Sequence, residues 1–157
     1  MLKLKAMKEF TNINDILTFA IDREQDAVDF YNRLAQNARN DEMRKTFEQF
    51  AREEMGHKAR LAKIKKEGVV TLSKEKVSDL KIADYVVLDQ ERDNMTYEQA
   101  LVLAMKREKA AFKLYMALSE KVDSNDFKNL FLSLAQEESR HKLRFELEYD
   151  EYVLKEN

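Results

Sequence analysis

The chain has 157 residues, 37% of them charged and 44% hydrophobic, with two glycines, no proline and no cysteine; it is long enough for one core, short for two, and favours helices over turn-rich β architecture. Its 28 basic and 30 acidic residues are interspersed and leave a net charge of -2, so no basic field exists to hold nucleic acid or an anionic membrane surface. Without cysteine there are no disulfides, thiolate nucleophiles or cysteine-ligated zinc or iron–sulfur sites, and any metal must be held by oxygen and nitrogen.

The opening "MLKLKAMKEF" is basic but has no sustained apolar run, and no stretch approaches the roughly 18 apolar residues of a membrane-spanning helix; the expectation is a cytoplasmic protein without a membrane. A first amphipathic helix is predicted from Ile13, Ile16, Leu17, Ala20, Ala27, Tyr31 and Leu34, which recur at three- and four-residue steps. It breaks at "NARND" (37–41), where Asn40 is a ready N-cap for a second helix marked by Phe47, Phe50, Ala51, Leu61 and Ile64. That helix ends at "KIKKEGVV", with lysines in the last turn and Gly68 suited to the left-handed position beyond it. Within the connection that follows, "SDLKIADYVVL" (78–88) is expected to form a short helix with Leu80, Ala83 and Val87 turned inward. Thr96 with Gln99 forms a capping box for the third long helix, carried by Leu101, Ala104, Met105, Ala111, Phe112, Tyr115 and Leu118. A polar turn, "KVDSND" (121–126) with Ser124 as cap, leads into the fourth, with Leu130, Phe131, Leu134, Ala135 and Phe145.

The two halves are copies. Residues 11–66 align with 95–150 without a gap, matching Ala20/Ala104, Arg23/Arg107, Glu24/Glu108, Ala27/Ala111, Tyr31/Tyr115 and Leu34/Leu118, then Phe47/Phe131, Ala51/Ala135, Glu53/Glu137, Glu54/Glu138, His57/His141, Lys58/Lys142 and Arg60/Arg144. Each half reads as one helical hairpin. The expected fold is one all-α domain: hairpin 11–67, crossover 68–95, hairpin 96–150. A 25-residue helix is about 38 Å long, and a crossover of this size at about 3.3 Å per residue can run the whole length of a four-helix bundle.

Both histidines lie in one repeated stretch, "AREEMGHKAR" (51–60) and "AQEESRHKLR" (135–144). Counted outward from the hairpin tip near residue 40, Glu24 comes 16 residues before it, and Glu54 and His57 come 14 and 17 after it. Glu108, Glu138 and His141 repeat the pattern about the tip near 124. All six therefore meet at one level in the bundle centre, with each Glu-x-x-His pair on a single helix face. Four buried carboxylates would cost several kcal/mol each unless neutralised, and two divalent cations carry the charge that balances them. Oxygen ligands with one imidazole per ion suit Fe, Mn or Zn, and a pair of ions about 3.5–4 Å apart can engage both atoms of O2 or peroxide. Glu53 and Glu137 should rotate about 100° away from the ligands toward Lys and Arg partners. Tyr31 and Tyr115, two turns from Glu24 and Glu108, either hydrogen-bond those carboxylates or serve as ordinary core tyrosines.

In "AIDREQDAVDFY" (20–31), "AREEMGH" (51–57), "AMKREKAAFKLY" (104–115) and "AQEESRH" (135–141), the sequence resembles the rubrerythrin and bacterioferritin branch of the ferritin-like superfamily across residues 11–150. The resemblance implies a ferritin-like bundle with a dinuclear site. In it Glu54 and Glu138 bridge two metal ions, Glu24 and Glu108 bind one each as terminal carboxylates, and His57 and His141 add one imidazole to each. It further implies an iron oxidoreductase acting on peroxide or O2, or else a ferroxidase or a non-enzymatic metal-binding module. Rubrerythrins usually carry a further glutamate where this chain has Ala111, and usually end in a cysteine-ligated rubredoxin domain. Electrons are therefore expected from a separate, rubredoxin-like donor, and a homodimer is compatible with the pattern.

Overall fold

The computed structural model describes residues 9–156. The expectation for the opening segment falls largely on residues 1–8, outside the described residues. Four long helices dominate: α1 (Ile13–Gln36), α2 (Asp41–Glu67), α4 (Tyr97–Lys121) and α5 (Asn125–Glu156), with one short helix, α3 (Lys74–Ser78), and a 3-10 turn (Ile82–Asp84) between α2 and α4. There is no strand among the described residues, and no helix is long and apolar enough to cross a membrane.

Each long helix starts where a side chain satisfies an otherwise free backbone N–H. Asn12 accepts from Asp15, Asn40 from Met43, and Thr96 from Gln99 in a reciprocal capping box. Ser124 Oγ takes the Phe127 N–H at the start of α5. α2 stops at Gly68, whose φ of 63° places it in the left-handed region, and its N–H returns to the carbonyls of Ile64 and Lys65.

α1 packs along α2 and α4 along α5, giving two antiparallel hairpins, and α1 also meets α4. Two apolar clusters fix their relative direction. One joins Ile16, Leu17 and Phe19 of α1 to Leu61 and Ile64 of α2, Leu114 and Leu118 of α4, and Phe131 and Leu134 of α5. The other joins Phe30 and Leu34 to Met43, Phe47 and Phe50, Leu101 and Ala104, and Phe145. The early part of α1 thus lies level with the late part of α4, and the hairpin tips point to opposite ends. Burying each of these large side chains contributes about 1.5–3 kcal/mol relative to exposure.

The crossover runs from the first cluster, where Val70, Val77, Leu80, Ile82 and Tyr85 are buried, to the second, which Val87 and Met95 pack against. Of the short helix expected over 78–88 only the 3-10 turn Ile82–Asp84 forms, with Leu80 buried as expected, while the α-helical turn of the crossover lies before it. Ser73 caps Lys76, so the helix forms at Lys74–Ser78, one turn earlier, and Ile82 rather than Ala83 points into the core, with Ala83 exposed. At the end of the bundle near the first hairpin tip, Arg39 donates two hydrogen bonds to the fully buried Glu148 carboxylate, at 3.0 and 2.8 Å. Tyr97 donates a third at 2.8 Å. This network ties α5 to the α1–α2 turn and to the start of α4.

Candidate metal centre

Between the two apolar clusters the bundle interior turns polar. Glu24 from α1, Glu54 and His57 from α2, Glu108 from α4, and Glu138 and His141 from α5 are all at most 2% exposed. They form two overlapping groups, Glu24–Glu54–His57–Glu138 and Glu54–Glu108–Glu138–His141, in each of which one ligand atom per residue lies within 4.8 Å of the others. Glu54 and Glu138 belong to both. The imidazoles lie nearly parallel, 6.5 Å apart and inclined by 13°.

Nδ1 of each histidine faces inward. That of His57 is 3.0 Å from Glu24, 3.3 Å from Glu54 and 3.2 Å from Glu138. That of His141 is 3.4 Å from both Glu54 and Glu108 and 3.9 Å from Glu138. Both carboxylate oxygens of Glu54 and of Glu138, one of Glu108, and Nδ1 of His141 are buried without a hydrogen-bond partner. A buried acceptor without a partner is costly. Six such atoms converging from α2, α4 and α5 fit two cations, and the groups could hold two metal ions.

The electrostatics of the protein without metal make the same point. Burial raises the Glu24, Glu54 and Glu108 carboxyls, with the Glu138 charge adding to it, and Glu108 is pushed up to about 8. Burial also opposes ionisation of Glu138, but its close polar contacts with His57 and Glu54, and the charge of the two imidazoles, outweigh it and hold that carboxyl below its ordinary value. Burial disfavours charged imidazoles too; their carboxylate partners overcome it and raise His57 to about 11 and His141 to about 9. Protons thus neutralise the cluster when no cation does.

The surrounding contacts cross between hairpins. Tyr31 on α1 donates its hydroxyl to Glu108 on α4, and Tyr115 on α4 donates to Glu24 on α1 at 2.9 Å. Burial and the neighbouring carboxylates push both phenols well above their usual range, so they stay protonated donors. Glu53 and Glu137 do pair with arginines, Arg140 and Arg60, at 3.2 and 3.4 Å. They are more than surface partners, however. Glu53 Oε1 lies 2.7 Å from Nε2 of His141, and Glu137 Oε1 lies 3.3 Å from Nε2 of His57. Each outer imidazole nitrogen therefore faces a carboxylate of the opposite hairpin; at His141 the contact is a hydrogen bond that orients the ring with Nδ1 inward, whereas Nε2 of His57 makes none. The signal was present in the sequence as a Glu-Glu pair repeated in both halves; rotation by 100° carries the first glutamate toward the adjacent helix rather than into water. Phe50 stacks on the His141 ring with centroids 4.0 Å apart.

A cleft of about 660 Å³ opens from the surface to this centre. Its walls are α1 and α4, its roof is crossover residues 85–91, and Glu24, Glu54, Glu108 and Glu138 line its floor. The roof is held by Arg33 to Glu91, with Nε at 2.7 Å, and by Lys106 to Asp89.

Residues 15–147 match the family model described as Rubrerythrin. Among solved structures, a protein from Thermotoga maritima, described as ferritin-like and diiron-carboxylate, superposes with a TM-score of 0.75 at 24% identity, covering 93% of this chain and 99% of that one. A hypothetical protein from Pyrococcus furiosus superposes with a TM-score of 0.71 at 24% identity, covering 96% and 95%. At these identities the likeness is one of fold. No functionally characterised protein matches the sequence significantly.

Proposed function

Because the chain belongs to the rubrerythrin family, we propose that it is a di-iron oxidoreductase that reduces peroxide, or activates O2, with electrons delivered by a separate donor protein. Its main support is the pair of overlapping four-residue groups that share Glu54 and Glu138. In this reading those two carboxylates would be shared by both ions, with Glu24 and His57 holding one and Glu108 and His141 holding the other. The diiron-carboxylate description of the Thermotoga maritima neighbour favours iron. Iron held there would supply two-electron chemistry toward an oxygen–oxygen bond.

The chain's own residues prepare the site for that chemistry. Tyr31 and Tyr115 fix the Glu108 and Glu24 carboxylates through hydroxyl hydrogen bonds, and Glu53 holds the His141 imidazole with Nδ1 inward while Glu137 faces that of His57. The two apolar clusters above and below the centre keep bulk water from the ends of the bundle, which strengthens every charge interaction between them. The cleft between α1 and α4 leaves one side open for an oxidant to reach the carboxylates. These 157 residues include no cysteine and so supply no thiolate-ligated electron carrier themselves, which supports a separate donor.

Stopped-flow oxidation of the reduced, iron-loaded protein tests the proposal. Faster reaction with peroxide than with O2 supports a peroxidase; a mineralised ferric product would instead mark iron oxidation for sequestration. No reaction with either oxidant would leave a protein that holds metal without turning over.

A further inference from the structure

The cleft is too large for the oxidant alone. A water molecule occupies about 30 Å³ of liquid, and peroxide needs little more than two such volumes; at about 660 Å³ the cleft lies in the range of sites that take organic molecules, roughly 300–1,000 Å³. Its lining is divided. Toward the first apolar cluster it is built from Phe19, Ala20, Ala111 and Leu114, with Val86 and Val87 overhead, and the alanines leave open space where longer side chains would fill it. Toward the second cluster it carries charge, and there one residue stands apart.

Arg107 lies with its guanidinium 4.8 Å above the buried Phe30 ring. The other arginines at the cleft are ion-paired: Arg23 with Asp26 at 3.0 Å, although its buried Nε has no partner, and Arg33 with Glu91. Arg107 makes no hydrogen bond or ion pair among the described residues. It is half-buried, so the cation is partly stripped of water, with the acids of the cleft nearby but none bonded to it. A planar guanidinium stacked on an aromatic ring presents its donors edge-on in a fork that matches a carboxylate.

We propose that this cleft binds an organic monocarboxylate, its acid group on the Arg107 guanidinium and its apolar body over Ala111, Leu114 and Phe19 beneath Val86 and Val87. Because the floor of the cleft is the carboxylate cluster, the far end of such a ligand reaches the candidate metal centre. This makes it a co-substrate or effector of that centre, a step that rests on the di-metal reading. Two divalent ions balance the four floor carboxylates, so an anion meets no net repulsion from below in the loaded protein.

The test is calorimetric titration with octanoate, using protein whose content of two Zn(II) ions per chain has first been verified. Octanoate should bind once per chain, with acetate, which lacks the apolar body, and 1-octanol, which lacks the charge, at least tenfold weaker. Arg107→Gln should weaken octanoate at least tenfold, Arg107→Lys less, and Ala111→Phe should block it by filling the cleft, all three keeping two zinc ions and a cooperative thermal transition. No octanoate binding, or binding unaffected by Arg107→Gln and by Ala111→Phe, would overturn the proposal. If the chain fails to hold two ions, the di-metal reading falls on its own; octanoate binding to that protein that still requires Arg107 would uphold the cleft, and its absence would reject it.

Discussion

Loading the centre with metal should expel protons in a countable number. Without metal, His57 holds its proton up to about pH 11, His141 to about 9 and Glu108 to about 8, so at pH 7 these three positions are protonated. Metal ligands must be deprotonated to bind, so filling both groups at pH 7 must release at least three protons per chain, with raised Glu24 and Glu54 adding to that number. The count belongs to the coupled cluster as a whole. By linkage, the overall association constant for two ions should rise about a thousandfold per pH unit near pH 7 and level off only once the imidazoles titrate on their own. Titrating metal-free protein with Mn(II) or Zn(II) in weak buffer under a pH-stat gives the proton count directly. Calorimetry in two buffers of different ionisation enthalpy checks it. Release of fewer than one proton per chain at pH 7, with two ions bound, would refute this account of how the buried carboxylates are neutralised.

His57→Ala and His141→Ala should each lower bound metal by about one ion per chain, measured by elemental analysis after dialysis, and the double variant should hold little. Tyr31→Phe and Tyr115→Phe each remove a hydroxyl from a terminal carboxylate; metal competition should show about tenfold weaker affinity with unchanged stoichiometry. The metal-free protein should lose thermal stability as pH rises from about 6.5 to about 8. In that window the folded chain keeps protons on His57, His141 and Glu108 that the unfolded chain releases, so stability falls with pH, whereas the loaded protein should change much less. Glu148→Ala should destabilise the fold by about 3 kcal/mol in denaturant titration, since it strips Arg39 and Tyr97 of their buried partner.

The level of the six converging side chains was readable because two periodicities agreed: the 3.6-residue helical repeat placed Glu54 and His57 on one face, and the duplication set Glu108, Glu138 and His141 at the matching height. Caps at Asn40, Ser124 and Thr96 and the stop at Gly68 were readable for the same local reasons, because each is a short-range hydrogen-bond or backbone requirement. The crossover resisted. Its helix is five residues long, too short for periodicity to register, and Ser73 rather than the apolar pattern sets where it begins. Glu53 and Glu137 were correctly rotated off the ligand face, but the identity of what lies there, the histidine of the other hairpin, depends on how the hairpins pack. Arg107 is likewise silent in sequence, because its isolation arises only once the crossover roofs the α1–α4 groove and Arg23 and Arg33 have taken the nearby acids.

Duplication explains the near symmetry of the centre, and the departures from it give the two halves different surroundings. Tyr31 and Tyr115 swap hydrogen bonds between α1 and α4, and Glu53 and Glu137 swap histidine contacts between α2 and α5, so each metal group is braced by the hairpin that supplies fewer of its ligands. Neither hairpin can then hold a complete group alone, which couples the centre to the packing of the halves. Phe50, stacked on His141, has Leu134 as its counterpart in the repeat, so among the described residues a phenylalanine face covers the His141 imidazole and none covers that of His57. The contacts at the outer nitrogens differ as well, 2.7 Å at His141 against 3.3 Å at His57. With His141 near 9 and His57 near 11, the group containing His141 gives up its proton more readily.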